Sequence, residues 1–301
     1  MVRNIAKTEK RLMTRSLDFI ARAITPGRVF ERQITYLDEL KNSSDSDEMR
    51  MLISCRQLLP ITTVRALQLG FLEWHEHGGM EAIVSSVLAG YVEGYTSKNK
   101  LCYPHWGLIN NDLVNHWMLA IYFDLPDIEQ LYREKIRFYL DDKDDEVSCF
   151  AVDDYYVSEN VTFIRNLLAS MDAGKLTLAY SNTWYDNFFD LDKLPKDPIK
   201  EIHKVHLQRA TYKGKGYEPL EGIPRCVFPI ENLAWYRLAS KEAELTLGDC
   251  LTSRFIRTPF TNVINYPEFV NVIAKASEAC DFDFVEYALG SEYIDYSVVD
   301  G

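Results

Sequence analysis

Glu73, His75, Glu76 and His77 form the densest grouping of side chains able to hold a metal or move a proton. Glu73 and His77 stand at i, i+4 and would share a helical face. His75 and His77 are two apart, which on a helix turns them roughly 200° from each other, and the HExxH spacing that aims two imidazoles at one ion is absent. A polar helix end at the Gly78-Gly79 stop is the expectation. A metal-dependent helical hydrolase built on these four residues is the alternative function. His203 and His206 share a face at i, i+3, yet no acidic residue occupies the ExxH position of di-iron bundles, so they are expected to edge a helix. Cys102 and His105 make a C-x2-H half without a second half to complete four ligands.

Phosphate and acyl chemistry find no support. GxxxxGK[ST] is absent: Gly174-Lys175 runs into Leu176, with Ala169 where the first glycine would stand. Gly214-Lys215-Gly216 does not extend to GxGxxG, and no GxSxG elbow occurs. Carboxylates are plentiful. Asp141, Asp142, Asp144, Asp145 and Glu146 are followed by Asp153, Asp154 and Glu159, with only Lys143 among the run. Acid–base catalysis needs single desolvated carboxylates, whereas this run would repel itself if buried; it reads as an exposed loop and as a docking surface for a basic partner. From Ala276 onwards Glu278, Asp281, Asp283, Glu286, Glu292, Asp295 and Asp300 face no Lys or Arg, and Phe282, Phe284, Tyr287, Tyr293 and Tyr296 are interleaved. Aromatics beside acids suit an interface anchor, or equally a tail tucked onto helices. The candidate partner-binding residues are therefore Asp141, Asp142, Asp144, Asp145, Glu146, Asp153, Asp154, Glu286, Tyr287, Glu292, Tyr293 and Asp295. No catalytic residue, metal or cofactor is assigned.

These groups must be carried by a chain of 301 residues with 47% hydrophobic and 26% charged side chains, the composition of an ordinary globular protein. The longest uncharged apolar stretch, residues 82–92, is too short to cross a bilayer. Thirty-three basic against 45 acidic side chains give a net charge of -12, which disfavours nucleic acid and favours a cationic partner. The balance is uneven: residues 1–35 hold eight Lys or Arg against Glu9, Asp18 and Glu31, a local +5 in an otherwise acidic chain. Those acids argue against a transit peptide, and no apolar signal core follows. Six dispersed cysteines without CxxC read as reduced thiols, matching the cytoplasm.

Apolar spacing predicts helices. One spans residues 45–59 and stops at Pro60; another runs from 61 to the glycines at 78–79. Residues 113–140 read as a helical hairpin turning at Asp124-Leu125-Pro126, with Glu129 and Arg133 paired on the outer face of its second helix. Ser158 and Gly174 bracket a further helix, and Pro198, Pro229 and Pro267 lead into helices over 199–211, 230–244 and 268–280. The expected fold is all-α, an irregular multi-helix bundle of antiparallel helix pairs, with short strands or ordered loops near 176–189 and 282–299. It is read as a single helical domain over 1–301; the Gly/Pro-rich stretch 213–229 offers a division into lobes 1–212 and 213–301.

The Trp117-bearing hairpin with its Asp-Leu-Pro turn, together with Phe228-Pro229-Ile230-Glu231 leading into Trp235-Tyr236, resembles the mostly helical immunity proteins encoded beside bacterial polymorphic toxins. That resemblance implies a cytoplasmic, non-catalytic, acidic protein that occludes one cognate toxin domain or holds it inactive. The basic N-terminal segment departs from it. A helical adaptor without a toxin is the other non-catalytic alternative.

Overall fold

A computed structural model describes residues 4–41, 64–96, 107–141, 154–181, 184–211 and 227–299. The described residues form twelve α-helices. They are α1 (Ile5–Ala23), α2 (Glu31–Lys41), α3 (Val64–His77), α4 (Glu81–Thr96), α5 (Gly107–Tyr122), α6 (Pro126–Asp141), α7 (Asp154–Ala173), α8 (Pro198–Thr211), α9 (Ile230–Ala239), α10 (Leu251–Arg257), α11 (Pro267–Cys280) and α12 (Phe284–Ala288). The fold is all-α. The helix expected over 45–59 lies outside the described residues.

No strand forms near 176–189 or 282–299 among the described residues, which leaves the alternative of ordered loops and corrects that of strands. Their place is taken by single-turn helices at Asp186–Phe188, Leu191–Lys193, Ser291–Tyr293 and Tyr296–Val298, by α12, and by one isolated bridge between Ile264 and Ile294. The backbone after α7 bonds to a side chain instead of a neighbouring strand. Asn166 Oδ1 accepts from the Ala179 and Tyr180 amides at 3.0 and 2.8 Å, and its Nδ2 donates to the Tyr180 carbonyl at 2.7 Å. The alternating aromatics that mimic a strand, Tyr185, Phe188 and Phe189, are loop anchors inserted among helices.

The chain divides into two compact units, residues 1–17 with 104–257 and residues 18–103 with 258–301. The stretch 213–229 falls within the span of the first, and most of it is outside the described residues.

In the first unit the hairpin of α5 and α6 closes as its sequence predicts. Asp124 takes a left-handed conformation (φ 58°) and Leu125 N–H reaches back to the Ala120 carbonyl at 3.0 Å, ending α5; Pro126 then starts α6. Glu129 does not lie on the outer face. It is buried, and its Oε1 accepts from the Trp117 indole at 2.7 Å while Arg133 stands 3.4 Å away, so the pair fastens the hairpin from within. Burial pushes the Glu129 carboxyl above its ordinary value, against the indole and Arg133. The helix α7 starts four residues before Ser158, which is therefore no cap, and ends at Gly174 (φ 65°), where Lys175 N–H bonds the Ser170 carbonyl at 3.1 Å. Pro229 caps α9, which stops at Ala239 instead of 244; Glu242 beyond it accepts the Leu176 amide. Residues 230–235 of α9 are all buried, because α5, α7, α8 and α10 pack around that helix.

The second unit is arranged likewise around α4. Residues 82–89 of α4 are buried on every side, against α3, α11 and α12, and α2 pairs with α11. The uncharged stretch 82–92 is thus the middle of a helical core. Ser85 inside it accepts from the Asn265 and Tyr266 amides at 3.3 Å each, taking up free N–H groups at the start of α11. The α3 and α4 backbones meet at Gly70, where an added Cβ would lie 2.5 Å from Ile83 Cγ1 and 3.2 Å from the Ile83 nitrogen. Gly70→Ala is expected to lower stability by roughly 1–3 kcal/mol through overpacking, read as a lower urea midpoint with an unchanged m-value.

Candidate functional site

Of the expected partner-binding residues, Asp142, Asp144, Asp145, Glu146 and Asp153 lie outside the described residues. Asp141 ends α6 and Asp154 begins α7, their side chains undescribed. Those near the C-terminus fall into two kinds. Glu286, Tyr287 and Glu292 are exposed, Tyr287 to 47%. Asp295 instead serves the backbone: its carboxylate accepts from the Ser297 amide at 3.1 Å and from the Ser297 hydroxyl at 2.5 Å. Tyr293 is half-buried, and its carbonyl accepts the Ile264 amide at 2.8 Å. Asp283 caps α12 by accepting from the Val285 and Glu286 amides, both at 2.9 Å, and takes the Tyr296 hydroxyl at 2.9 Å. Phe284, Val285 and Ile294 are buried beneath them, so the segment tucks its apolar residues in while holding two carboxylates and a tyrosine outward.

At the end of α3, His75, Glu76 and His77 are exposed. His77 Nε2 sits 3.6 Å from Glu73 and 4.0 Å from Glu76, while Glu73 also receives the Tyr266 hydroxyl. Among the described residues no three His, Cys, Asp or Glu side chains converge as ligands. Cys250 and Cys280 are buried thiols outside any disulfide.

The largest departure from the sequence reading is in the first unit. His203 and His206 do not edge α8; both are fully buried, their rings stacked with centroids 5.9 Å apart. Each meets a buried carboxylate that sequence spacing did not associate with it. Glu9, from the inner face of α1, places its Oε1 2.6 Å from His203 Nε2. Its Oε1 also accepts the Leu251 amide at 2.8 Å, a free N–H at the start of α10, and its Oε2 faces Arg254 at 3.1 Å. Burial would raise the Glu9 carboxyl; His203, the Leu251 amide and Arg254 together bring it below its ordinary 4.5. Burial holds His203 below its ordinary 6.5, against the pull of Glu9. The other face of that ring is fixed too. Asn232 Nδ2 donates to Thr252 Oγ1 at 3.1 Å, and the same oxygen is hydrogen-bonded with His203 Nδ1 at 2.9 Å.

His206 Nδ1 lies 2.7 Å from Glu231 Oε1, in the first turn of α9. The Tyr185 hydroxyl donates to the same oxygen at 3.4 Å and accepts from Arg209 at 2.8 Å, so the buried guanidinium reaches the carboxylate through a phenol. Burial alone would push Glu231 up; the charge and hydrogen bond of His206, then the charge of Arg209, hold it at about 2.

Thr252, His203 and Glu9 stand in the order hydroxyl, imidazole, carboxylate that nucleophilic catalysis uses. Thr252 is 0% exposed and its hydroxyl is committed on both sides, so a substrate has no approach to it; the arrangement fastens α1 to α8 and α10. No protein-family model, curated protein or solved structure matches the chain.

The sign of the acid response follows from His203. Its folded pKa is below 6.5, so the unfolded chain binds more protons once pH falls under about 6.5, and stability declines from there downward; Glu9 adds a second loss below about 4.5 as its depressed carboxyl protonates. Urea titrations at several pH values are expected to show His203→Gln flattening the decline under pH 6.5. Glu9→Gln is expected to cost about 2–4 kcal/mol at neutral pH. An unchanged pH profile in both variants would remove these groups from the acid response.

Proposed function

We propose that this protein is a non-catalytic immunity protein that binds a cationic toxin domain and blocks its active site or holds it inactive. The observation that supports this reading most is the C-terminal segment of the second unit. Glu286, Tyr287 and Glu292 point outward from backbone pinned by Asp283 and Asp295, and the chain from Ala276 to its end contains no Lys or Arg to neutralise them. The Tyr287 ring packs edge-on against Phe282, centroids 5.1 Å apart, which limits the rotamer freedom it has left to lose on binding. An aromatic in a field of one sign gives a binder both its anchor and its steering: the charge speeds encounter and the ring slows release. The net charge of -12 works in the same direction. The titratable groups of the interior are spent on holding helices together, which agrees with a protein that acts by shape and charge in the cytoplasm, where a toxin would meet it.

The test is co-purification with the product of the adjacent reading frame, followed by binding kinetics. Glu286→Lys with Glu292→Lys is expected to slow association about tenfold while leaving dissociation nearly unchanged. Tyr287→Ala is expected to speed dissociation about tenfold. Charge reversal across residues 141–146 is expected to act on association as well. Failure of the protein to bind or protect against a neighbouring toxin would remove the proposal.

A further inference from the structure

The outward face of α1 in the first unit carries Lys7, Lys10, Arg11 and Arg15, all exposed, opposite the buried Glu9, Leu12 and Ser16. Lys7, Arg11 and Arg15 repeat at i, i+4, so each cation stands beside another on the helix surface, an arrangement that weakens a helix. None of the four has an ion-pair partner among the described residues. In a chain with 45 acidic side chains, a row of cations left unneutralised is out of keeping with a purely solvated face.

We propose that this face of α1 is a docking surface for an acidic polypeptide segment, distinct in charge and partner from the acidic surface of the second unit. The chemistry of the stripe separates that occupant from other anions. A phosphate site adds hydroxyl and backbone donors to its cations. Here the hydroxyls of Thr8 and Thr14 are turned onto the Asn4 and Lys10 carbonyls at 2.9 and 3.0 Å, and Asn4 Oδ1 already takes the Lys7 amide at 2.9 Å. The row of cations ends beside one exposed ring, Phe19, at i, i+4 from Arg15, where a run of stacked bases needs several. Phe19 apart, the large apolar side chains of α1 are buried or half-buried, so the helix has one ring and no apolar face to insert into a lipid surface. What remains is a row of point charges at the spacing of one helical turn. That row matches carboxylates at i, i+4 on an acidic helix, pair for pair. A Debye length of about 8 Å at physiological salt lets the row act locally although the whole chain is acidic.

The experiment titrates the full chain against a fluorescein-labelled oligo-glutamate peptide, with duplex DNA and phosphatidylserine vesicles in parallel. Binding of the peptide is expected, steeply weakened by salt. The triple variant Lys7→Gln, Arg11→Gln, Arg15→Gln is expected to lose at least about tenfold in affinity, the sum of three exposed ion pairs, with its urea midpoint retained. Charge-reversed Glu variants at the same positions are expected to abolish binding. Absence of peptide binding, equal affinity in the variants, or tighter capture of DNA or vesicles through these same residues would each overturn the assignment.

Discussion

A carboxylate in the first turn of α9, where residues 230–235 are all buried, sets the terms for the first unit. The helix α9 is surrounded, so Glu231 cannot reach water and must be neutralised by whatever packs against it. His206 supplies the direct contact, and Tyr185 relays the charge of Arg209. That requirement fixes the face α8 turns inward, since His203, His206 and Arg209 are all buried on it. It also fixes where the loop carrying Tyr185 lies. With α8 so placed, His203 is brought to Thr252 and Glu9, and the first turns of α1 are fastened in turn.

The same logic separates the acids that work inside from those left outside. Glu9, Glu129 and Glu231 are each buried against an imidazole, indole or guanidinium, while Asp283 and Asp295 accept backbone amides at the starts of short helices. Once these are accounted for, Glu286 and Glu292 remain as exposed carboxylates of the C-terminal segment that cap nothing and fasten nothing. The charges that the fold does not need are the ones left exposed.

Much of the helical layout is written in local rules that the sequence displays openly. Pro126, Pro198 and Pro267 open helices, Gly174 closes one, and the Asp124 turn folds the hairpin back. The aromatic segments left strand and ordered loop both open, because an aromatic every second or third residue looks alike whether it lines a strand or pins a loop. The buried network was less legible, since its members come from residues 9, 185, 203, 206, 231 and 252 and no spacing rule connects them. A signal was nevertheless present. Glu9 sits in line with Ile5, Leu12 and Ile20 on the apolar stripe of α1, and Glu231 with Asn232 interrupts an otherwise apolar run. A charge on an apolar face announces a buried partner; identifying that partner as His203 or His206 required the fold.

The helix α1 shows how such an interior contact bears on a surface. An isolated helix of this length is marginal in water, and a row of like charges makes it more so, so the regular spacing of Lys7, Arg11 and Arg15 exists only while the opposite face is packed. Leu12 contributes burial without polarity to set register. Glu9 sets it, because its two oxygens must meet Leu251, His203 and Arg254 at once. An anion that binds the outer row in its helical spacing therefore favours the packed state by mass action, and whatever loosens Glu9 from His203 weakens the outer row without touching any of its cations.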